Sequence, residues 1–146
     1  MVFVVVHLTI AAVWLGSMAY SLIVVQPRVA RFFPDVEQRE GFLVALAHGN
    51  RWRVVGLICA LLVTDALVMV AQPAARAWYG LALGPYLIAS AIFSYVSWRH
   101  WPARIFALPQ ELPGYQRRLR LLAWSMLGLV AVAFLTTLAA SITAGR

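Results

Sequence analysis

Three shortages bound what this chain can be. It has one cysteine, no lysine and five acidic residues in a sequence of 146. One thiol, Cys59, makes neither an internal disulfide nor a thiolate metal cluster; within an apolar run it reads as a small buried hydrophobe. Every basic residue is an arginine, and the missing lysine reads as a compositional bias with no function attached. The sequence holds no phosphate loop, no nucleophile elbow, no paired catalytic carboxylates and no Met-x-x-Met or histidine-rich tract. The common nucleotide-binding and hydrolytic chemistries therefore have nothing to stand on. No internal sequence repeat is visible either, which argues against an inverted-repeat transporter.

What the chain has is apolar surface. Hydrophobic residues make up 63% of it, against about 45–50% in a soluble domain. Four stretches, residues 2–25, 54–71, 78–98 and 121–140, reach the roughly 18 apolar residues that read as a membrane span. The expectation is an all-α, integral membrane four-helix bundle, with residues 1–146 as a single transmembrane domain. The first stretch lacks a basic n-region and exceeds the ~7–15 residues of a signal-peptide core, so it reads as a retained helix.

The net charge is +7. Arg28, Arg31, Arg39, Arg51 and Arg53 lie between the first two spans, and Arg99, Arg104, Arg117, Arg118 and Arg120 between the last two. The opposite side has only Arg76 and Arg146. The positive-inside rule then gives an up-down bundle in a bacterial inner membrane, multi-pass, with both termini on the outer, periplasmic side. Arg51, Arg53, Arg117, Arg118 and Arg120 serve as topology signals and anionic-lipid contacts, with the bilayer and not nucleic acid as partner. Trp52, Trp98 and Trp101 mark one interface and Trp78 the other.

Asp35 and Gln38 form a capping-box pattern, so the second helix starts near Val36, with a cytoplasmic extension before residue 54. Gly49-Asn50 is a candidate kink, and Gln72-Pro73 ends the helix. Pro102, Pro109, Pro113 and Gly114 make the third connection irregular, with the last helix starting near Tyr115.

Asp65 is the anomaly. A carboxylate deep in a span costs roughly 2.5–3.5 kcal/mol and demands a partner or a task. Helix rise puts His7 about 8 Å and Asp65 about 9 Å from the outer end of neighbouring antiparallel helices. Thr136 and Thr137 lie roughly 5–6 Å in, and Tyr86 about 12 Å in. His7, Asp65, Tyr86, Thr136 and Thr137 are the candidate buried polar site: a ligand-binding or proton-carrying cluster, or a hydrogen-bonded fastener between helices. Haem b would need His7 as axial ligand, and copper would take His7 with Met69, one turn from Asp65. His48 and His100 fall near the opposite interface and read as solvated. Gly80-x-x-x-Gly84 offers a helix-packing or docking face.

The first helix reads His7-Leu-Thr-Ile-Ala-Ala-Val-Trp14-Leu15-Gly16, with Gln26-Pro27 and Phe33-Pro34 beyond. This resembles a family of small four-helix bacterial membrane proteins of unknown function, related to the copper-resistance D domain (CopD-like) and to a vertebrate membrane protein linked with platinum-drug resistance. The resemblance covers about the first 35 residues and gives Trp14 and Gly16 a packing role. A weaker similarity, through His7, Trp14 and Tyr20, is to the HemJ-type protoporphyrinogen oxidase. The chain departs from that pattern in having no lysine and in placing Gly16 one position early. The expected function is a non-catalytic accessory subunit or binding protein, docked on other membrane subunits or on a second copy. The alternatives are a copper- or haem-binding protein using His7 with Asp65, and a HemJ-like oxidase.

Overall fold

The carboxylate of Asp35 accepts from the backbone N–H groups of Glu37 and Gln38, at 3.4 and 3.2 Å. That cap starts a helix which runs unbroken from Val36 to Ala71, straight through Gly49-Asn50, where the kink was expected. The computed structural model describes residues 2–108 and 110–144; Pro109 and Arg146 lie outside them. It contains four long helices: α1 (Val2–Phe32), α2 (Val36–Ala71), α3 (Pro73–Ile105) and α4 (Leu112–Ala144). Each is long and apolar enough to cross a membrane, which makes this a multi-pass, all-helical membrane protein.

Each helix packs against its sequence neighbours, and α4 closes on α1. His7, early in α1, meets Thr64, late in α2. Arg51, early in α2, reaches Ser97, late in α3. His100, late in α3, meets Tyr115, early in α4. The bundle thus has a terminal end, holding the N-terminus, and an arginine-rich end.

Two helices continue past prolines that read as helix ends. Pro27 and Pro102 each lack an N–H, and each ring crowds the carbonyl four residues back, at Ile23 and Trp98. Both carbonyls lie in a wide π turn, Ser21–Val25 in α1 and Val96–His100 in α3. Gln26 N–H bonds to the Ser21 carbonyl, and Trp101 N–H to that of Val96. These i→i−5 bonds add one residue to the turn and free the clashing carbonyl. As a result α1 extends to Phe32 and α3 to Ile105, and the irregular third connection shrinks to the residues between Ile105 and Leu112. Pro113 and Gly114 sit in the first turn of α4.

The extra residue shows in the burial pattern. In α1 the buried positions are Val4, His7, Ala11 and Trp14, then Leu22 and Val29. In α3 the corresponding buried positions are Tyr79, Ala82, Tyr86 and Ala89, then Ser97 and Arg104, with Ala75 and His100 buried besides. Every one of these pairs is offset by 75 residues (4 against 79, 22 against 97, 29 against 104), as are the two π turns and the two prolines. α1 and α3 therefore share one burial register, whereas in α2 only Ile58 and Asp65 fall opposite buried residues of α4, Ala133 and Ala140. No repeat was expected from the sequence because few identities survive at that offset, Tyr20 with Tyr95 and Pro27 with Pro102 among them.

The close helix approach is made by alanines, not glycines. Ala82, Ala89, Ala133 and Ala140 are buried between α3 and their neighbours. Gly80 and Gly84 face outward, with nothing beyond their own stretch of helix within 4 Å of where a Cβ would stand, and Gly16 is likewise open. Their packing role within the bundle is thereby corrected. Cys59, expected to be buried, lies on the exposed face of α2.

Candidate functional site

At the terminal end all four helices contribute a polar side chain to one sealed layer. His7, Asp65, Tyr79, Tyr86 and Thr137 are each 0% exposed. The Thr64 hydroxyl lies 2.8 Å from the Ala60 carbonyl and 2.9 Å from that of Leu61, and 3.3 Å from His7 Nδ1. A threonine has a single hydroxyl proton, and here the backbone takes it. Toward His7 the hydroxyl is therefore an acceptor, and Nδ1–H donates. In a neutral imidazole Nε2 is then a lone pair, and it faces Asp65 Oδ1 at 3.7 Å. Two acceptors face each other unless one further proton sits on the ring or the carboxyl.

Aromatic rings close the layer. Tyr79 and Tyr86 approach the His7 ring edge-on, with centroids at 5.5 and 5.9 Å. Trp14 stacks on Tyr86 at 6.4 Å. Thr137 stands beside Tyr86, its hydroxyl donating to the Phe134 carbonyl at 2.9 Å. His7 Nε2, both Asp65 oxygens, the Tyr79 and Tyr86 hydroxyls and Trp14 Nε1 have no hydrogen-bond partner. Each such group left unmade costs about 1–3 kcal/mol.

The structure brings together His7, Asp65, Tyr86 and Thr137 but not Thr136. Thr136 is half-buried and returns its hydroxyl to the Val132 carbonyl at 2.8 Å. Thr64 and Tyr79 belong to the layer and escaped the sequence reading. The signal for Tyr79 was its seven-residue spacing from Tyr86, two helical turns on one face. Met69 packs beyond Asp65, against the apolar cluster of Val4, Val68, Tyr79 and Ala140.

The donor set is thin for a metal. Among the described residues no three His, Cys, Asp or Glu side chains group together, whereas transition-metal sites use three or four protein ligands. A haem does not fit on His7, because Asp65 lies against Nε2 and tyrosines occupy two flanks of the ring.

The arginine-rich end is built differently. Arg104 Nη2 donates to Glu40 Oε1 at 2.7 Å and meets Oε2 at 2.6 Å. Gln116 Nε2 donates to Glu40 Oε1 at 3.0 Å, and the Arg104 guanidinium lies 5.0 Å over the Trp101 ring. Arg51 Nη2 donates to the Ser97 carbonyl at 2.6 Å and lies 5.3 Å over Trp98. His48 is exposed as expected. His100 is not: it is 2% exposed and lies 3.2 Å from the Tyr115 carbonyl, because the π turn rotates it inward. Arg53 donates to Asn50 Oδ1 at 3.3 Å, Arg118 lies 5.5 Å over Tyr95, and Arg117 is exposed.

Two cavities open at this end, of about 390 and 440 Å³. No family model, curated protein or solved structure matches the chain.

Proposed function

We propose that this chain is a non-catalytic binding component of a bacterial inner membrane, an accessory subunit docked on larger membrane partners. In this reading both termini lie on the periplasmic side and the arginine-rich end lies in the cytoplasm. The observation that carries it is a separation of roles. The polar layer is sealed from solvent and lipid alike, so it serves the fold and a proton, not an incoming substrate. The accessible cavities lie at the other end and are lined by arginines, tryptophans, aliphatic side chains and a few serines and amides, a binding surface with no histidine, cysteine or carboxylate to activate a nucleophile. The outward Gly80 and Gly84 leave a smooth strip on α3 on which a partner helix can lie.

The test is purification of the full chain from its native membrane in mild detergent, with an absorption spectrum and elemental analysis of the same sample. The expected result is a larger membrane partner in stoichiometric amount, lost in Gly80→Leu, and no Soret band. A chain that purifies alone with stoichiometric copper, lost in His7→Ala, overturns the reading. That outcome would favour a second one, copper handling, whose support is the 3.7 Å between His7 Nε2 and Asp65 Oδ1; a third donor would have to come from a partner.

A further inference from the structure

We infer that the arginine-rich end carries a site for the phosphate headgroup of an anionic phospholipid, held by Arg39, Arg104 and Arg120. The three arginines line the cavity of about 390 Å³ that α1, α2, α3 and α4 enclose together, a size within the range of small-ligand sites. No acidic side chain lines it.

Arg104 is the centre of the argument. It is 3% exposed. Its Nη2 is spent on Glu40, while Nε and Nη1 are buried without a partner. A guanidinium has donors only. Nε–H and Nη1–H point to different sides of the planar group and make no bidentate fork, so Arg104 offers a single charge-assisted hydrogen bond to a phosphate oxygen. Glu40 neutralises one of the three positive charges, so the cavity keeps a positive balance that an anion matches.

The surroundings separate a lipid from a soluble anion. The rest of the wall is mostly apolar, with Leu22, Val29, Leu43, Leu119 and Trp124 beside two amides, Gln26 and Gln116. Leu22, Gln26 and Trp101 are shared with the cavity of about 440 Å³, whose lining includes Met18, Leu57, Phe93 and Met126. On α1 that second cavity extends from Gln26 to Val13, about 20 Å along the helix. Arg51 and Arg53 also line the second cavity, beside these apolar residues. Its apolar side chains suit the acyl chain of a phosphate-bearing lipid, and a free phosphate would leave them without a role. Basic pockets between membrane helices on the cytoplasmic side take anionic headgroups for the same reason. The inference rests on the proposed orientation, with the arginine-rich end in the cytoplasmic leaflet.

The test uses the full chain in a neutral detergent. Lipid binding is read by native mass spectrometry and by the shift in unfolding temperature, with phosphatidylglycerol, phosphatidylcholine of the same acyl chains, and inorganic phosphate as probes. Phosphatidylglycerol should bind and raise the unfolding temperature, and the other two should not. Each arginine is worth about fivefold in affinity at such a surface. Arg39→Gln with Arg120→Gln should therefore weaken phosphatidylglycerol about 25-fold while leaving the lipid-free unfolding temperature unchanged, since both leave the Arg104–Glu40 pair intact. Equal binding of phosphatidylcholine overturns the inference. So does an unaffected double variant, or inorganic phosphate matching the lipid at equal phosphate concentration. A null lipid result with a larger partner still co-purifying removes the lipid site and leaves the accessory role standing; lipid bound without any partner does the reverse.

Discussion

At the terminal end His7 and Asp65 stand 3.7 Å apart in full burial, with both carboxylate oxygens and Nε2 unpartnered. At the arginine-rich end Arg104 and Glu40 meet at 2.6 Å, with Gln116 and Trp101 completing the contact. The difference follows from what each group can do with its proton. A guanidinium keeps its charge in any protein, so burying it requires a carboxylate and hydrogen bonds of good geometry. An imidazole and a carboxyl can hold one proton between them and carry no net charge. That is the form of ionisable pair an apolar interior tolerates at lowest cost. The bundle places the permanent charges where water is near and the adjustable pair where it is not.

Five substitutions test that contrast and its surroundings, from the largest effect to the smallest. His7→Leu leaves the Asp65 carboxyl alone in the apolar interior and should destabilise the bundle by about 3 kcal/mol in detergent unfolding. His7→Leu combined with Asp65→Leu should recover most of that loss; a double variant as unstable as the sum of the two singles would break the contrast. Glu40→Ala leaves Arg104 buried without its carboxylate. It should cost about 2 kcal/mol, below the ~3–5 of a fully buried pair because Glu40 is partly exposed. If Glu40→Ala costs more than His7→Leu, the ranking of the two ends is reversed. Asp35→Ala removes the α2 cap and should lower stability by about 1 kcal/mol, with no change in lipid binding. Gly80→Leu meets open space and should shift the unfolding free energy by less than about 0.5 kcal/mol, so that any loss of a partner reads as docking alone.

Much of the fold is legible in the chain because it rests on two strong signals. Apolar run length places four membrane-length helices, and Asp35 with Gln38 marks where α2 begins. The layer shared by His7 and Asp65 follows from helix rise, which is nearly constant, so depth can be counted from the ends. Facing is harder to count. Thr136 and Thr137 have the same depth and differ by one residue of rotation, which sends one inside and the other to its own backbone. Cys59 fell on the outer face for the same reason. Tyr79 sits close to the helix start, where a tyrosine reads as an interface anchor. Glu40, Arg104 and Gln116 lie in two separate connections, and nothing local joins them. The π turns were hidden most thoroughly. Pro27 and Pro102 signal a helix end, and nothing in the sequence around them announces the wider turn that lets the helix continue past each.

The matched π turns carry a consequence for the layer at the other end. With the same insertion and the same proline, α1 and α3 present their buried residues in one register. On that frame His7 falls opposite Ala82 and Asp65 opposite Ala140, while Tyr79 and Tyr86 fall opposite Val4 and Ala11. The first hairpin carries the titratable pair, and the second gives it room with two alanines and covers it with two phenols. Two helices of one register thus line a single site with different side chains.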